Sequence, residues 1–195
     1  MKNVRRVNLL AAAAAISVLS IGVSGAAAVG THNVPAVTAS AHATKMKKLS
    51  FSAAYVGNVK ILWGSQRVSG TMSGAGKGTT LGQGSVTATG ATTSFSTSSA
   101  SDPVSGTAVL KGPGGSLSVK SVRASASTTA SASPTKTAPA PVTLSGTVKV
   151  TKGTGKFAGA TGTLTIHATF TVNTLKGNET QKFNATLKGS LSVKA

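Results

Sequence analysis

Thr163-Leu164-Thr165-Ile166-His167-Ala168-Thr169-Phe170-Thr171-Val172 alternates polar and apolar side chains without a break. In an extended chain successive side chains point to opposite faces, so Leu164, Ile166, Ala168, Phe170 and Val172 share one side of a sheet. The hydroxyls and His167 share the other. Two neighbouring stretches repeat the pattern. In Val142 to Val150, residues Val142, Leu144, Val148 and Val150 alternate with Thr143, Ser145, Thr147 and Lys149, and Gly146 keeps the phase. In Lys182 to Lys194, residues Phe183, Ala185, Leu187, Leu191 and Val193 alternate with Asn184, Thr186, Lys188, Ser190 and Ser192. Thr and Val suit a pleated, half-buried surface, and no comparable helical period appears after the leader.

Towards the N-terminus the alternation is less regular. Strands are expected over Leu49 to Val56, Val59 to Trp63, Arg67 to Ser73, Gly84 to Thr89, Thr92 to Ser98, Val104 to Leu110 and Ser116 to Val122. Gly74-Ala75-Gly76-Lys77-Gly78 and Gly112-Pro113-Gly114-Gly115 read as joints, because glycine supplies the positive backbone angles of tight hairpins. Lys176-Gly177-Asn178 gives the same signal before the last strand. About ten closely spaced strands predict an all-β fold over residues 49–195, a barrel or a sandwich with mostly up-and-down neighbours. Residues 124–141, rich in Ala, Ser and Thr with Pro134, Pro139 and Pro141, are expected to form a disordered loop inserted in that domain.

The chain begins with a short cationic start (Lys2, Arg5, Arg6), an apolar run from Leu9 to Val23, and small residues at 24–28. That order predicts a secretory signal peptide over 1–28, with small-x-small cleavage sites after Ala28 and after Ala43. The run is shorter than the ~20 residues of a membrane span, and no second one follows. Residues 29–48 read as a flexible lead-in. The expected location is secreted, extracellular or associated with the cell envelope. The chain has no Cys, which excludes disulfides and a lipidated cysteine. A domain of this length can bury roughly two-thirds of its unfolded surface without them.

Charge is strongly one-sided. Without residues 1–28, 17 of the 20 Lys and Arg remain against two acids, Asp102 and Glu179, giving a net charge near +15. Such a molecule is drawn to polyanions, among them an anionic cell-wall polymer. Scattered lysines also solvate a barrel surface and blunt sheet edges. Nucleic acid is a poor fit, since single-strand binding needs aromatics along a basic groove and the chain has one Trp and one Tyr, Trp63 and Tyr55.

Catalytic chemistry finds little support. Carboxylate acid–base pairs need two nearby acids in different environments, whereas Asp102 and Glu179 sit in turn-like contexts (Asp102-Pro103; Asn178-Glu179-Thr180). His32 and His42 lie in the leader region and His167 is alone, so no catalytic, metal or cofactor-binding residues are assigned. Neither Gly76-Lys77 nor Gly155-Lys156 is followed by the Ser or Thr of a phosphate loop, and Gly153, Gly155 and Gly159 have the wrong spacing for a dinucleotide loop.

The most specific stretch is Val150-Thr151-Lys152-Gly153-Thr154-Gly155-Lys156-Phe157-Ala158-Gly159-Ala160-Thr161-Gly162-Thr163-Leu164. It resembles the G-T-G-x-[FY]-x-G-A-x-G signature of the dirigent and allene oxide cyclase-like β-barrels, as in small secreted actinobacterial proteins. Gly76 to Gly82 resembles the earlier G-x-G-T-x-L-G element, and Phe183 to Val193 the closing strand. The resemblance implies an antiparallel barrel of eight or slightly more strands with a small apolar interior, and trimers by analogy with plant members. Gly153, Gly155, Gly159 and Gly162 would shape the signature turn, and Phe157 would plug the barrel end. The acidic and polar residues that members of this family place in the barrel mouth have no matching positions here.

The expectation is therefore a secreted, non-catalytic barrel that binds a small apolar ligand, associates with anionic envelope polymers, or both. The alternative is a dirigent or allene oxide cyclase-like isomerase or coupling-guide protein acting on a small apolar molecule.

Overall fold

The computed structural model describes residues 45–93, 101–128 and 134–195. The signal peptide, both cleavage sites, His32 and His42 lie outside the described residues. Eight strands follow in order: β1 (Met46–Trp63), β2 (Val68–Gly78), β3 (Gly82–Thr92), β4 (Ser101–Gly112), β5 (Gly115–Thr128), β6 (Ala140–Gly155), β7 (Thr161–Val172) and β8 (Gly177–Lys194). Each pairs antiparallel with the next, and β8 returns to pair with β1, so the sheet is a closed up-and-down barrel. Among the described residues there is no helix, hence none long and apolar enough to cross a membrane.

Period-two alternation decides which side chains enter the barrel. Odd positions face inward on β1 and β8, and even positions on β2, β3, β4 and β7. The registers carry this phase around the wall, as in Tyr55↔Gly76, Gly74↔Val86, Val86↔Leu110 and Tyr55↔Ala185. Two bulges preserve it on β5 and β6. Val122 is the extra residue between Ser121↔Val148 and Arg123↔Thr147, and Thr151 is the extra residue between Ser118↔Lys152 and Val119↔Val150. An unpaired residue restores the inward phase after a register step. Ser121 patches the first irregularity, its Oγ accepting a hydrogen bond from the Gly106 backbone N–H at 2.9 Å.

Several boundaries differ from the sequence reading. Met46, Lys47 and Lys48, assigned to the lead-in, are paired with Lys194, Val193 and Ser192. Leu49 to Trp63 is one strand, because Gly57 and Asn58 keep their pairs with Phe183 and Lys182. The glycines at 74–78 are not a joint but the second half of β2, and the chain turns at 79–81. Of the strand expected over Thr92 to Ser98, Thr92 ends β3, and residues 94–98 lie outside the described residues. Of the expected loop 124–141, Ala124 to Thr128 pair with Gly146 to Val142, and Ala140 and Pro141 pair with β7. Small side chains there, Ala inward and Ser outward, hide the alternation.

Inside, the two ends differ in filling. At the end holding the start of β1 and the β2–β3, β4–β5 and β6–β7 turns, Phe51, Leu110, Leu117, Leu164 and Leu191 are fully buried. Leu81 and Phe157, from two of those turns, cap them and are themselves buried. This end is closed.

Candidate functional site

Towards the opposite end the inward side chains shrink on one wall. Gly70 on β2, Ala88 and Gly90 on β3, and Gly106 and Ala108 on β4 face Leu144, Ile166, Phe170 and Phe183 across the barrel. Eight strands enclose a space that side chains can fill or that can hold one small ligand. With glycine and alanine on one wall, a cavity of about 520 Å³ remains, within the range of small-molecule sites. Its floor is Leu110, Val119 and Val148, above the closed end. At its mouth stand Trp63, Val68, Thr92, Asp102 and Leu175.

The polar groups of the mouth have defined partners. Thr92 is buried, and its Oγ1 accepts a hydrogen bond from the Val68 N–H at 2.9 Å, tying the start of β2 to the end of β3. Glu179, paired with Ile61 near the start of β8, gathers three strands' ends through its carboxylate. Oε1 accepts from the Trp63 indole N–H at 3.2 Å. Oε2 accepts from the Asn173 backbone N–H at 2.9 Å and the Gln181 side-chain amide at 3.0 Å. Charge-assisted bonds of this kind are stronger than neutral ones, so Glu179 is a clasp that fixes the indole at the rim. Asp102 lies on β4 in phase with Val104 and Leu110 and lines the cavity. Neither acid is in a turn, which corrects the sequence reading. Strand phase, not the adjoining Pro103 or Asn178, decides where they point.

The other singled-out residues fall elsewhere. His167 is exposed on the outer face of β7, between Ser145 and Thr186, and does not reach the cavity. Tyr55 is buried, and burial pushes its phenol above the usual pKa of 10.0. Trp63 is half-buried at the mouth. Among the described residues no group of three or more His, Asp or Glu is placed to hold a metal ion.

The glycine-rich turn belongs to the closed end. Gly155 and Gly159 have φ of 60° and 71°, and Gly162 has 149°, all in the region that favours glycine. The backbone N–H groups of Phe157, Ala158 and Ala160 donate to the carbonyls of Thr154, Gly155 and Phe157, closing successive tight turns that carry Phe157 over the barrel end. At Gly153 an added Cβ would overlap the Phe157 carbonyl oxygen. Gly153, Gly155, Phe157, Gly159 and Gly162 thus build a lid of the core, remote from the cavity mouth.

The described residues define a closed eight-stranded antiparallel barrel with an apolar cavity that opens among them towards one end and a carboxylate on its wall. Comparison with family models, curated proteins and solved structures finds no significant match for the chain.

Proposed function

We propose that the protein is a secreted, non-catalytic binding barrel that takes a small apolar ligand into its open end. The cavity carries this reading: about 520 Å³ with mainly aliphatic and aromatic walls and few polar groups, Thr92 and Asp102 among them at the mouth. An apolar body would bury against Met72, Val86, Leu144, Ile166 and Phe170, each CH₂ contributing about 0.8 kcal/mol. A hydroxyl or amine on the same molecule would meet Asp102. The cationic exterior would draw the protein to anionic material of the cell envelope.

Native mass spectrometry of the protein from culture supernatant, with titration by an apolar fluorophore, tests the proposal. The expected results are a chain lacking its leader, a retained or exchangeable apolar molecule, and loss of binding when Ala88→Phe fills the cavity. Binding of the fluorophore unchanged in Ala88→Phe would refute the cavity as the site. A chain retaining Met1 inside the cell would refute export.

A dirigent or allene oxide cyclase-like role is the second reading. The observation favouring it is that the two acids both lie at the cavity end, where that family places polar groups. It predicts that Asp102→Asn keeps ligand affinity and abolishes conversion of the bound molecule.

A further inference from the structure

All 17 cations between Lys45 and Lys194 are exposed. Their distribution along the barrel axis is uneven. Lys45, Lys47 and Lys48 stand at the start of β1. Lys77 lies one residue from the end of β2, and Lys111 one residue from the end of β4. Lys152 and Lys156 flank the end of β6, and Lys194 ends β8. Every even-numbered strand thus carries a lysine where it reaches the closed end, and β1 adds three more. No Asp or Glu side chain accompanies these eight charges, because Asp102 and Glu179 are both at the cavity end. There only Lys60, Arg67, Lys136 and Lys176 oppose them.

The ring encircles the barrel instead of running along it. The turns inside it are short (residues 79–81, 113–114 and 156–160), and the Lys194 stem lies over Gly159, 3.2 Å from where a Cβ would stand there. A circle of ammonium groups around a blunt end can meet a flat array of anions all at once. A thread-like polyanion would reach only one arc of it. Met46 is the sole large exposed apolar side chain at this end among the described residues, and no aromatic is exposed beside it. Contact by the described residues there would be by charge without insertion.

We infer that the closed end docks on an anionic lipid bilayer surface, standing the barrel upright with its cavity mouth turned to the water. The inference names which face engages the envelope material in the proposed function and does not depend on the cavity binding a ligand. Each lysine close to an anionic membrane is worth about a fivefold gain in affinity, and the attraction fades within a Debye length of ~8 Å at physiological salt.

Sedimentation with vesicles of equal parts phosphatidylglycerol and phosphatidylcholine tests it, using the full protein and two variants of equal net charge. The ring variant is Lys77→Gln, Lys111→Gln, Lys152→Gln and Lys194→Gln. The control is Lys60→Gln, Arg67→Gln, Lys176→Gln and Lys182→Gln. The ring variant should lose about two to three orders of magnitude in partitioning, the control only a few-fold, and pure phosphatidylcholine should bind neither. Equal losses in the two variants would overturn the inference, since net charge alone would then explain binding. So would no vesicle binding at low salt, or tighter ring-dependent binding to soluble polyphosphate than to vesicles, which would make the partner a polymer. If the ring variant loses its strand spectrum, single reversals Lys77→Glu and Lys194→Glu against Lys60→Glu and Lys182→Glu supply the same contrast. Ligand binding by the ring variant should be unchanged, which separates this result from the fate of the cavity proposal.

Discussion

Two glycines on the inner face of β2 predict opposite outcomes for one substitution. A Cβ at Gly70 would find its nearest neighbours at 3.6 Å (the Lys60 carbonyl oxygen) and 3.9 Å (Val59 Cγ2), which is ordinary contact. Gly70 has no positive φ, so Gly70→Ala reduces the freedom of the unfolded chain without native strain and should stabilise by about 0.4–1 kcal/mol. At Gly76 the same methyl would overlap the Ala54 carbonyl oxygen and stand 2.6 Å from Tyr55 Cδ1 and 2.8 Å from Tyr55 Cα. Two of these three obstacles are backbone atoms of β1 and cannot swing aside, so the β1–β2 ladder itself must shift. Overpacking of this kind costs about 1–3 kcal/mol or more, exceeding the entropic gain. With a shift of about 2–4 °C per kcal/mol for a domain of this size, Gly70→Ala should melt about 1–4 °C higher than the parent and Gly76→Ala about 2–10 °C lower. Thermal unfolding followed by circular dichroism at one pH and salt concentration reads both. Melting shifts of the same sign would refute the assignment of Gly76 to a crowded strand interior.

Phe157→Ala removes a buried plug and should cost about 3–5 kcal/mol in a denaturant titration. Lys120 and Lys149 are directly opposed on the outer faces of β5 and β6, and like charges so placed destabilise. Lys149→Glu should raise Tm by about 1–3 °C at low salt, with the gain shrinking at high salt. Because burial raises the Tyr55 pKa, the unfolded chain releases this proton first as pH climbs. Stability from Tyr55 is therefore complete below pH 10.0 and lost above it. Tyr55→Phe should flatten the alkaline fall in Tm relative to the parent.

What the sequence revealed depended on side-chain size. β6, β7 and β8 were legible because Val, Leu, Ile and Phe mark every second position against Thr, Lys and Ser. The second half of β2 was not, because its inward positions are Gly74, Gly76 and Gly78. A glycine leaves no apolar mark, and these three make room for Tyr55, Phe183 and Leu81. The same smallness on β3, β4 and β5 opens the cavity, so the feature that obscures the strands in the sequence is the one that creates the site. Asp102 and Glu179 could have been found by parity alone. Asp102 is an even number of residues from Val104 and Leu110, and Glu179 an even number from Phe183 and Ala185. What parity could not supply was that β4 and β8 bring both acids to one end, because that depends on the turns.

The pairing of β1 with β8 imposes an order on assembly. Leu49 is partnered by Leu191, and the Ala195 N–H reaches the Lys45 carbonyl at 2.9 Å, so the earliest-made strand needs the latest-made one. A nascent chain that has not yet reached β8 cannot complete the circle. It exposes two bare strand edges that invite pairing with another chain. Such distant partners close slowly, so the finished cylinder forms only after β8 is available. A premature stop within the final strand would yield aggregates rather than a slightly shortened protein.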